Sequence, residues 1–300
     1  MDDADAAELA RLGHRSELKR SFSPLSMLGL AFAILNSWTA LSASLSLALP
    51  SGGSTSVLWG LITAGLCNLC LATSLAEFLS AYPTAGGQYH WVAVISWRSW
   101  VPLLMDHWLD QCQRMDCLSG FRGSVRQSTH SWAISLFNPN YVSQRWHQFL
   151  IYIGYNLVAF LINAFMTGVL PLITRSSFIW SILGFFVICV TVLSTASPNY
   201  SSAEFVFTDF RNETGWPDGI AWLLGLLQAG LGLTGFDAVA HMIEEIPNAA
   251  VEGPKIMIAC LAIGIFTGFI FLMVLLFVAG QIDGPEGVIS SSAGPLLQIF

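Results

Sequence analysis

The chain has 300 residues, of which 54% are hydrophobic and 10% charged, and its net charge is −7. A soluble domain carries about 25% charged residues, so this composition excludes an ordinary soluble globule, and the acidic balance argues against a nucleic-acid partner. What remains is a chain built to sit in lipid.

Residues 1–21 are polar and charged, with Asp2, Asp3, Asp5 and Glu8 marking a solvated cytoplasmic tail. They lack the apolar core of a cleavable signal, so the first span itself is expected to direct insertion. Residues 21–76 then carry no Asp, Glu, Lys or Arg, and the same holds for 146–174, 176–203 and 256–282. About 20 apolar residues cross the hydrocarbon core, and a charge buried there costs several kcal/mol, so gaps of this length mark membrane spans. Within 22–97 the first span covers 25–49, ended by Pro50 and the Ser51-Gly52-Gly53 turn. The second covers 56–81, ended by Pro83 and Gly86-Gly87. Cys67 and Cys70 have CxxC spacing, but they lie inside an apolar span with no further Cys or His nearby. They read as small packing residues, and neither a metal nor a cofactor is expected.

A third span should follow, yet 98–126 holds Arg98, Asp106, Asp110, Arg114, Asp116, Arg122 and Arg126. The stretch 98–136 therefore cannot cross a membrane as written. One reading is a frame shift: codons can be chosen for 105–122 so that the next frame spells WTTGWISVSGWIASAASA, an uncharged string. The other is a genuine polar loop or an interfacial helix. Residues 137–197 hold a fourth span at 147–170 and a fifth at 177–196. Residues 219–300 hold a sixth at 219–241, a seventh at 256–280 and the start of an eighth.

Orientation bears on the gap. Arg11, Arg15, Lys19 and Arg20 place the N-terminus in the cytoplasm by the positive-inside rule. With a third crossing, Arg175 and Lys255 lie inside and residues 198–218 lie outside. That loop carries two glycosylation sequons, at Asn199-Tyr200-Ser201 and Asn212-Glu213-Thr214, which make sense only there.

The densest chemical signal is GLGLTGFDAVAHMIEEIPN at 230–248. Glycine weakens a helix by about 1 kcal/mol relative to alanine, and Gly230, Gly232 and Gly235 are followed at once by Asp237. Broken backbone is tolerated in a bilayer only where it is buried in protein or lines a cavity, so an opened span implies a site. The competing reading makes the glycines packing notches and puts Asp237 near the membrane edge. Glu244 and Glu245, ahead of Pro247 and Asn248, read as a cytoplasmic helix end whose acids pair with nearby bases. The first span has a matching irregularity in Asn36, Ser37, Trp38, Thr39, Ser42 and Ser44, to be weighed against a helix interface of small residues.

Four pieces carry a resemblance: SPLSMLGLAFAILNSWTALSASL (24–46), AEFLSAYPTAGGQYHWVA (76–93), NPNYVSQRWHQF (138–149) and NETGWPDGIAWLLGLLQAGLGLTGFDAVAHMIEEIPNA (212–249). They resemble the fungal choline, GABA and amino-acid permeases of the amino acid–polyamine–organocation superfamily, over nearly all of 20–97 and 137–300 but not across 98–136. The resemblance implies an all-α, polytopic membrane protein, part of a LeuT-like five-plus-five inverted-repeat transporter, holding the first repeat and the start of the second. In that fold the first and sixth helices unwind around the substrate. Carried onto this chain, the substrate-binding positions are Asn36, Ser37, Trp38 and Thr39, with Thr234, Gly235, Phe236 and Asp237. Trp38 and Phe236 would offer cation–π contacts, and Asp237 would neutralise a cation or carry a proton.

The implied function is secondary active transport of amino acids or related amines such as choline and GABA, coupled to protons, in the plasma membrane. Its partners are a small-molecule substrate and membrane lipid. An inactive fragment of such a permease is the first alternative, since the 300 residues as written lack a membrane-competent third span and three spans of the second repeat. A receptor is the second, opposed by the cytoplasmic N-terminus, the short loops and the glycine-broken sixth span. An intramembrane enzyme is disfavoured because HExxH, GxSxG and paired aspartates are all missing. Residues 198–218 are expected outside the cytoplasm. A cysteine placed there should react with an impermeant thiol reagent in intact cells; labelling only after permeabilisation would reverse the topology.

Overall fold

The structure is a computed structural model that describes residues 9–11, 13, 20–35, 37–95 and 144–279. The segment 98–136 and Asn36 lie outside the described residues. Among the described residues the following α-helices run in order: α1 (Pro24–Leu35), α2 (Ser37–Ala43), α3 (Leu45–Ala48), α4 (Gly53–Ala81), α5 (Gly87–Ile95), α6 (Arg145–Phe165), α7 (Leu170–Ala196), α8 (Ala203–Thr208), α9 (Asp218–Gly232), α10 (Ala238–His241) and α11 (Ala249–Val278). Short 3-10 turns at Thr167–Val169 and Ile243–Glu245 complete the described elements. Among the described residues five segments have the length and apolarity to cross a membrane: Pro24–Ala43, Gly53–Ala81, Arg145–Phe165, Thr167–Ala196 and Ala249–Val278.

The expected sixth span is not among those five, because it is divided into α9 and α10. Other boundaries shift for a different reason. α7 begins at Leu170 and takes in Arg175, and α11 begins at Ala249 and takes in Glu252 and Lys255. Charge marks where lipid ends, whereas a helix continues into the interface, where long basic side chains reach water. Lys255 Nζ is also paired with Glu252 Oε1 one turn back, at 2.9 Å. At the other end of the scale α6 stops at Phe165, earlier than the sequence suggests, and a 3-10 turn follows it.

The chain divides into two units, residues 1–85 with 171–300 and residues 86–170. In the second unit α6 buries none of its residues. Its amides are satisfied within the helix, Asn156 Nδ2 donating to Tyr152 O and Asn163 Nδ2 to Ala159 O, both at 2.8 Å.

In the first unit α11 is the central helix, packed against α4, α1 and α2, while α9 packs on α4, α2 and α3. Lipid offers no hydrophobic drive between helices, so close approach depends on small residues. Gly264 and Gly268 of α11 receive Leu35, Ser37 and Leu41, and Gly65 of α4 receives Ile265. Gly29 of α1 lies against the Thr174 backbone of α7, where Phe32 and Phe178 meet edge to face at 5.2 Å.

The loop before α9 is strapped onto the turn before α4. Gly52 N–H donates to Arg211 O (2.7 Å), Thr55 N–H to Asp209 O (3.2 Å) and Glu213 N–H to Pro50 O (2.9 Å). Ser54 Oγ reaches Phe205 O and Asp209 O, and Trp59 Nε1 reaches Phe207 O. These bonds occupy donors that the first turn of α4 cannot satisfy internally. Gly52 is required at the turn, since its φ of +109° is strained for any residue with a Cβ. On the opposite side of this loop Ser201 N–H donates to Phe277 O at 2.8 Å, near the end of α11.

The opposite end of the unit is polar too. Ala85 N–H donates to Glu244 Oε1 (2.8 Å), Phe22 N–H to Glu245 O (3.2 Å) and Ser21 Oγ to Glu245 Oε2 (3.4 Å). The sequence expects these acids to pair with bases; the bonds seen here run from backbone and hydroxyl donors, and they tie the entry to α1 and the end of α4 to the turn at Ile243–Glu245. Leu9, in the segment read as a solvated tail, is buried and lines a small cleft with Arg20, Pro83, Glu244 and Ile246.

Gly225 supplies a test of this packing, because a Cβ there would fall on Ser56 Oγ and the Ser51 carbonyl. Gly225→Ala should cost about 1–3 kcal/mol by overpacking. Gly184, with nothing near its would-be Cβ, should accept alanine with a gain of about 0.5–1 kcal/mol. Thermal unfolding of the detergent-solubilised variants should separate them in that order.

Candidate functional site

The first span is described as α1 up to Leu35 and α2 from Ser37, with Asn36 outside the described residues; the interruption that is described is a turn at Ser44, between α2 and α3. Ser42 Oγ donates to Thr39 O (2.8 Å), and Ser44 Oγ to Ala40 O (2.8 Å) and Leu41 O (3.2 Å). Such back-bonding competes with the helix ladder and bends or ends it.

Of the predicted residues on this side, Ser37 is fully buried and its hydroxyl has no hydrogen-bond partner. Trp38 is buried as well; its Nε1 donates to Ser181 Oγ on α7 at 3.1 Å. Its ring meets Phe271 at 5.0 Å and Phe185 at 6.1 Å, both edge to face. Thr39 is half-buried.

The second interruption follows α9. Residues 233–237 form a turn before α10, and Gly235 has φ +106°, a conformation that glycine alone adopts at little cost. Ala238 N–H donates to Gly235 O (3.2 Å) and Ala240 N–H to Asp237 O (2.9 Å), restarting the helix. The two sequence readings of these glycines prove to apply to different residues. Gly235 makes the break, whereas Gly232 is a packing notch whose Cβ would lie 2.5 Å from Leu41, and Gly230 faces open space. Thr234 is exposed and bonds back to Gly230 O at 2.6 Å. Phe236 is buried and Asp237 half-buried.

α1 packs on α10 and α2 packs on α9, so the first span lies beside both sides of the turn at 233–237. Gln228 Nε2 of α9 donates to Leu41 O of α2 at 2.7 Å, and α11 presents Gly264 to Leu35 and Ser37 and Gly268 to Leu41. Sequence reasoning missed Gln228, Ser181, Phe185, Phe271 and the two α11 glycines. Two signals were there: Gly264-Ile-Phe-Thr-Gly268 is a GxxxG spacing, and Gln228 is an amide inside an apolar span.

The sequons differ in structure. Asn199 is exposed. Asn212 is tied down, its Nδ2 donating to Trp216 O (2.6 Å) and Asp218 Oδ1 (2.8 Å) while its Oδ1 accepts from the Thr214 N–H (3.1 Å) and hydroxyl (2.8 Å). Among the described residues no cluster of His, Cys, Asp or Glu is placed to hold a metal.

A family model for amino acid permeases matches residues 25–300. This chain belongs to the amino acid permease family. It is an integral membrane protein, with the all-α architecture of that family. It is 35% identical over 278 residues to a Macrophomina phaseolina protein named as an amino acid/polyamine transporter, covering 91% of this chain and 60% of the relative. It is 30% identical over 305 residues to the choline transporter of Saccharomyces cerevisiae, covering 100% of this chain and 53% of that protein. An amino-acid permease of Arabidopsis thaliana is 28% identical over 310 residues, at 99% of this chain and 60% of the relative. The chain thus spans between half and two thirds of the length of these relatives. No solved structure matches it.

The Trp38–Ser181 bond in this permease-family chain is open to a double-mutant cycle. Trp38→Phe and Ser181→Ala should show a coupling of about 0.5–1.5 kcal/mol in unfolding of the solubilised protein. A coupling of zero would mean that the indole N–H is not held by Ser181.

Proposed function

We propose that this protein acts as a secondary active transporter of amino acids or related amines such as choline and GABA, and not as an enzyme. The substrate is held between the first-span segment at 36–39 and the opened turn at 233–237. The observation that carries this reading is that opened turn, with Gly235 at φ +106°, flanked by α9 and α10, which pack on α2 and α1. An open backbone of this kind has no structural use in lipid, and it offers hydrogen-bonding groups wherever a polar solute must be carried across. The substrate class is drawn from the relatives, whose names speak of amino acids, polyamines and choline.

In this reading Ser37, with its unpartnered hydroxyl, and Thr39, Thr234 and the backbone at Gly235 receive the polar groups of the substrate, together with Asn36. Trp38 and Phe236 face its cationic end through their rings, and Asp237 balances the positive charge or carries the coupling proton. Trp38 and Phe236 are both buried in the conformation described, so a substrate reaches them only when the helices part. That requirement is the one alternating access imposes. The N-terminus lies in the cytoplasm, the loop 198–218 outside the plasma membrane, and of the two sequons Asn199 is the acceptor, since the Asn212 carboxamide is already engaged at both ends.

Uptake of choline, GABA and amino acids by protein reconstituted in liposomes tests the proposal. Trp38→Ala, Gly235→Leu and Asp237→Asn should each abolish most uptake at normal expression. Glu244→Gln, which weakens the hold on the Ala85 amide, should change folding yield or turnover instead. Unchanged uptake in both Gly235→Leu and Asp237→Asn would remove the case for a site at the second interruption.

A further inference from the structure

Amides inside the spans satisfy themselves in two ways. Asn68, Asn156 and Asn163 each donate to the carbonyl four residues back in the same helix, at 2.8–2.9 Å. Gln228 does not. It is 1% exposed, and its Nε2 reaches across 187 positions of sequence to the Leu41 carbonyl of α2, at 2.7 Å. A carboxamide in an apolar helix costs free energy unless bonded, and the bond to its own helix is the nearer solution. Reaching to another helix therefore has a geometric consequence: it fixes α2 against α9.

Leu41 is held on every side. Its carbonyl takes Gln228 and Ser44, and its side chain, 0% exposed, sits in the notches left by Gly232 on α9 and Gly268 on α11. It stands one helical turn beyond Ser37, Trp38 and Thr39. At about 1.5 Å rise per residue, a backbone pinned at Leu41 fixes the height and rotation of all three. α2 is seven residues long and ends at the Ser44 turn, so without the Gln228 bond little of its own length fixes its rotation.

We propose that Gln228 is a positioning residue for the site. By capturing the Leu41 carbonyl it sets the orientation of Ser37, Trp38 and Thr39 relative to the second interruption, so that α2 and α9 move as one piece. The uptake arm of the test rests on the transport reading given above; the labelling arm does not.

Three variants separate the alternatives. Gln228→Leu has no donor, Gln228→Asn is one methylene too short to reach Leu41, and Gln228→Glu keeps the reach and, protonated in its apolar setting, a donor. In uptake assays Gln228→Leu and Gln228→Asn should raise KM by about tenfold, the scale of one lost hydrogen bond, with little change in maximal rate. Gln228→Glu should stay near the parent. In a background with the six native cysteines replaced by alanine, Thr39→Cys should react with a small maleimide several times faster when combined with Gln228→Asn than with Gln228→Glu. Faster labelling in a protein that takes up no substrate would uphold the positioning role and sink the transport reading. Equal labelling rates in the Asn and Glu variants, or an unchanged KM in the Asn variant where Gln228→Leu fails to fold, would overturn the proposal.

Discussion

Every backbone N–H and C=O inside a bilayer has to find a partner within the protein, because the hydrocarbon supplies none. An uninterrupted helix meets that demand alone. Among the described residues the first span, with its turn at Ser44, and the sixth, with its turn at 233–237, do not, and the arrangement around them follows from the deficit. α11 lies against α1 and α2 through Gly264 and Gly268, α9 reaches over with Gln228, and the hydroxyls of Ser42 and Ser44 turn back on their own helix. The partners come from protein on the inner side of each break, where Leu41 and Phe236 are buried, and such a surface suits a polar solute.

Polar side chains divide accordingly. Asn68, Asn156 and Asn163 close on their own helices, and the exposed surface of α7 is plain hydrocarbon, with Trp180, Leu183 and Phe186. Toward the breaks some bonds cross between helices, linking Trp38 to Ser181 and Gln228 to Leu41, while Ser42, Ser44 and Thr234 bond back to their own helices. Ser37, and Ser56 against Gly225 of α9, are buried with their hydroxyls unmatched. A buried polar atom left without a partner costs about 1–3 kcal/mol, a deficit that a ligand or a second conformation removes.

Much of the fold was legible because membrane insertion leaves a coarse signature. The charge-free runs locate α4, α6, α7 and α11, and the cluster Gly230, Gly232, Gly235 locates the break in the sixth span. Helix ends were less legible: Arg175 and Lys255 belong to helices although they terminate the apolar runs, since hydropathy reports lipid depth and not the backbone ladder. The separate roles of the glycines were hidden as well. Whether a glycine serves as hinge or notch depends on what stands opposite, and Leu41 lies far from Gly232 in sequence. Gln228 carried a readable anomaly, an amide among leucines, but its direction is a tertiary fact. The segment 98–136, expected to hold either a shifted reading frame or a polar loop, lies outside the described residues.

The strap formed by residues 205–213 also changes what that loop is. Its carbonyls complete the first turn of α4, and the Asn212 carboxamide fastens it to the start of α9. A segment in that role behaves like a staple between two columns, not like slack between them, and it transmits any tilt of the first hairpin to the sixth span. Gly215, exposed at φ +75°, lies inside that fastening, since Trp216 N–H donates to Thr214 Oγ1 across it and Asn212 reaches past it to Asp218, so the staple is closed right up to the start of α9 and an insertion at this turn would pull it open.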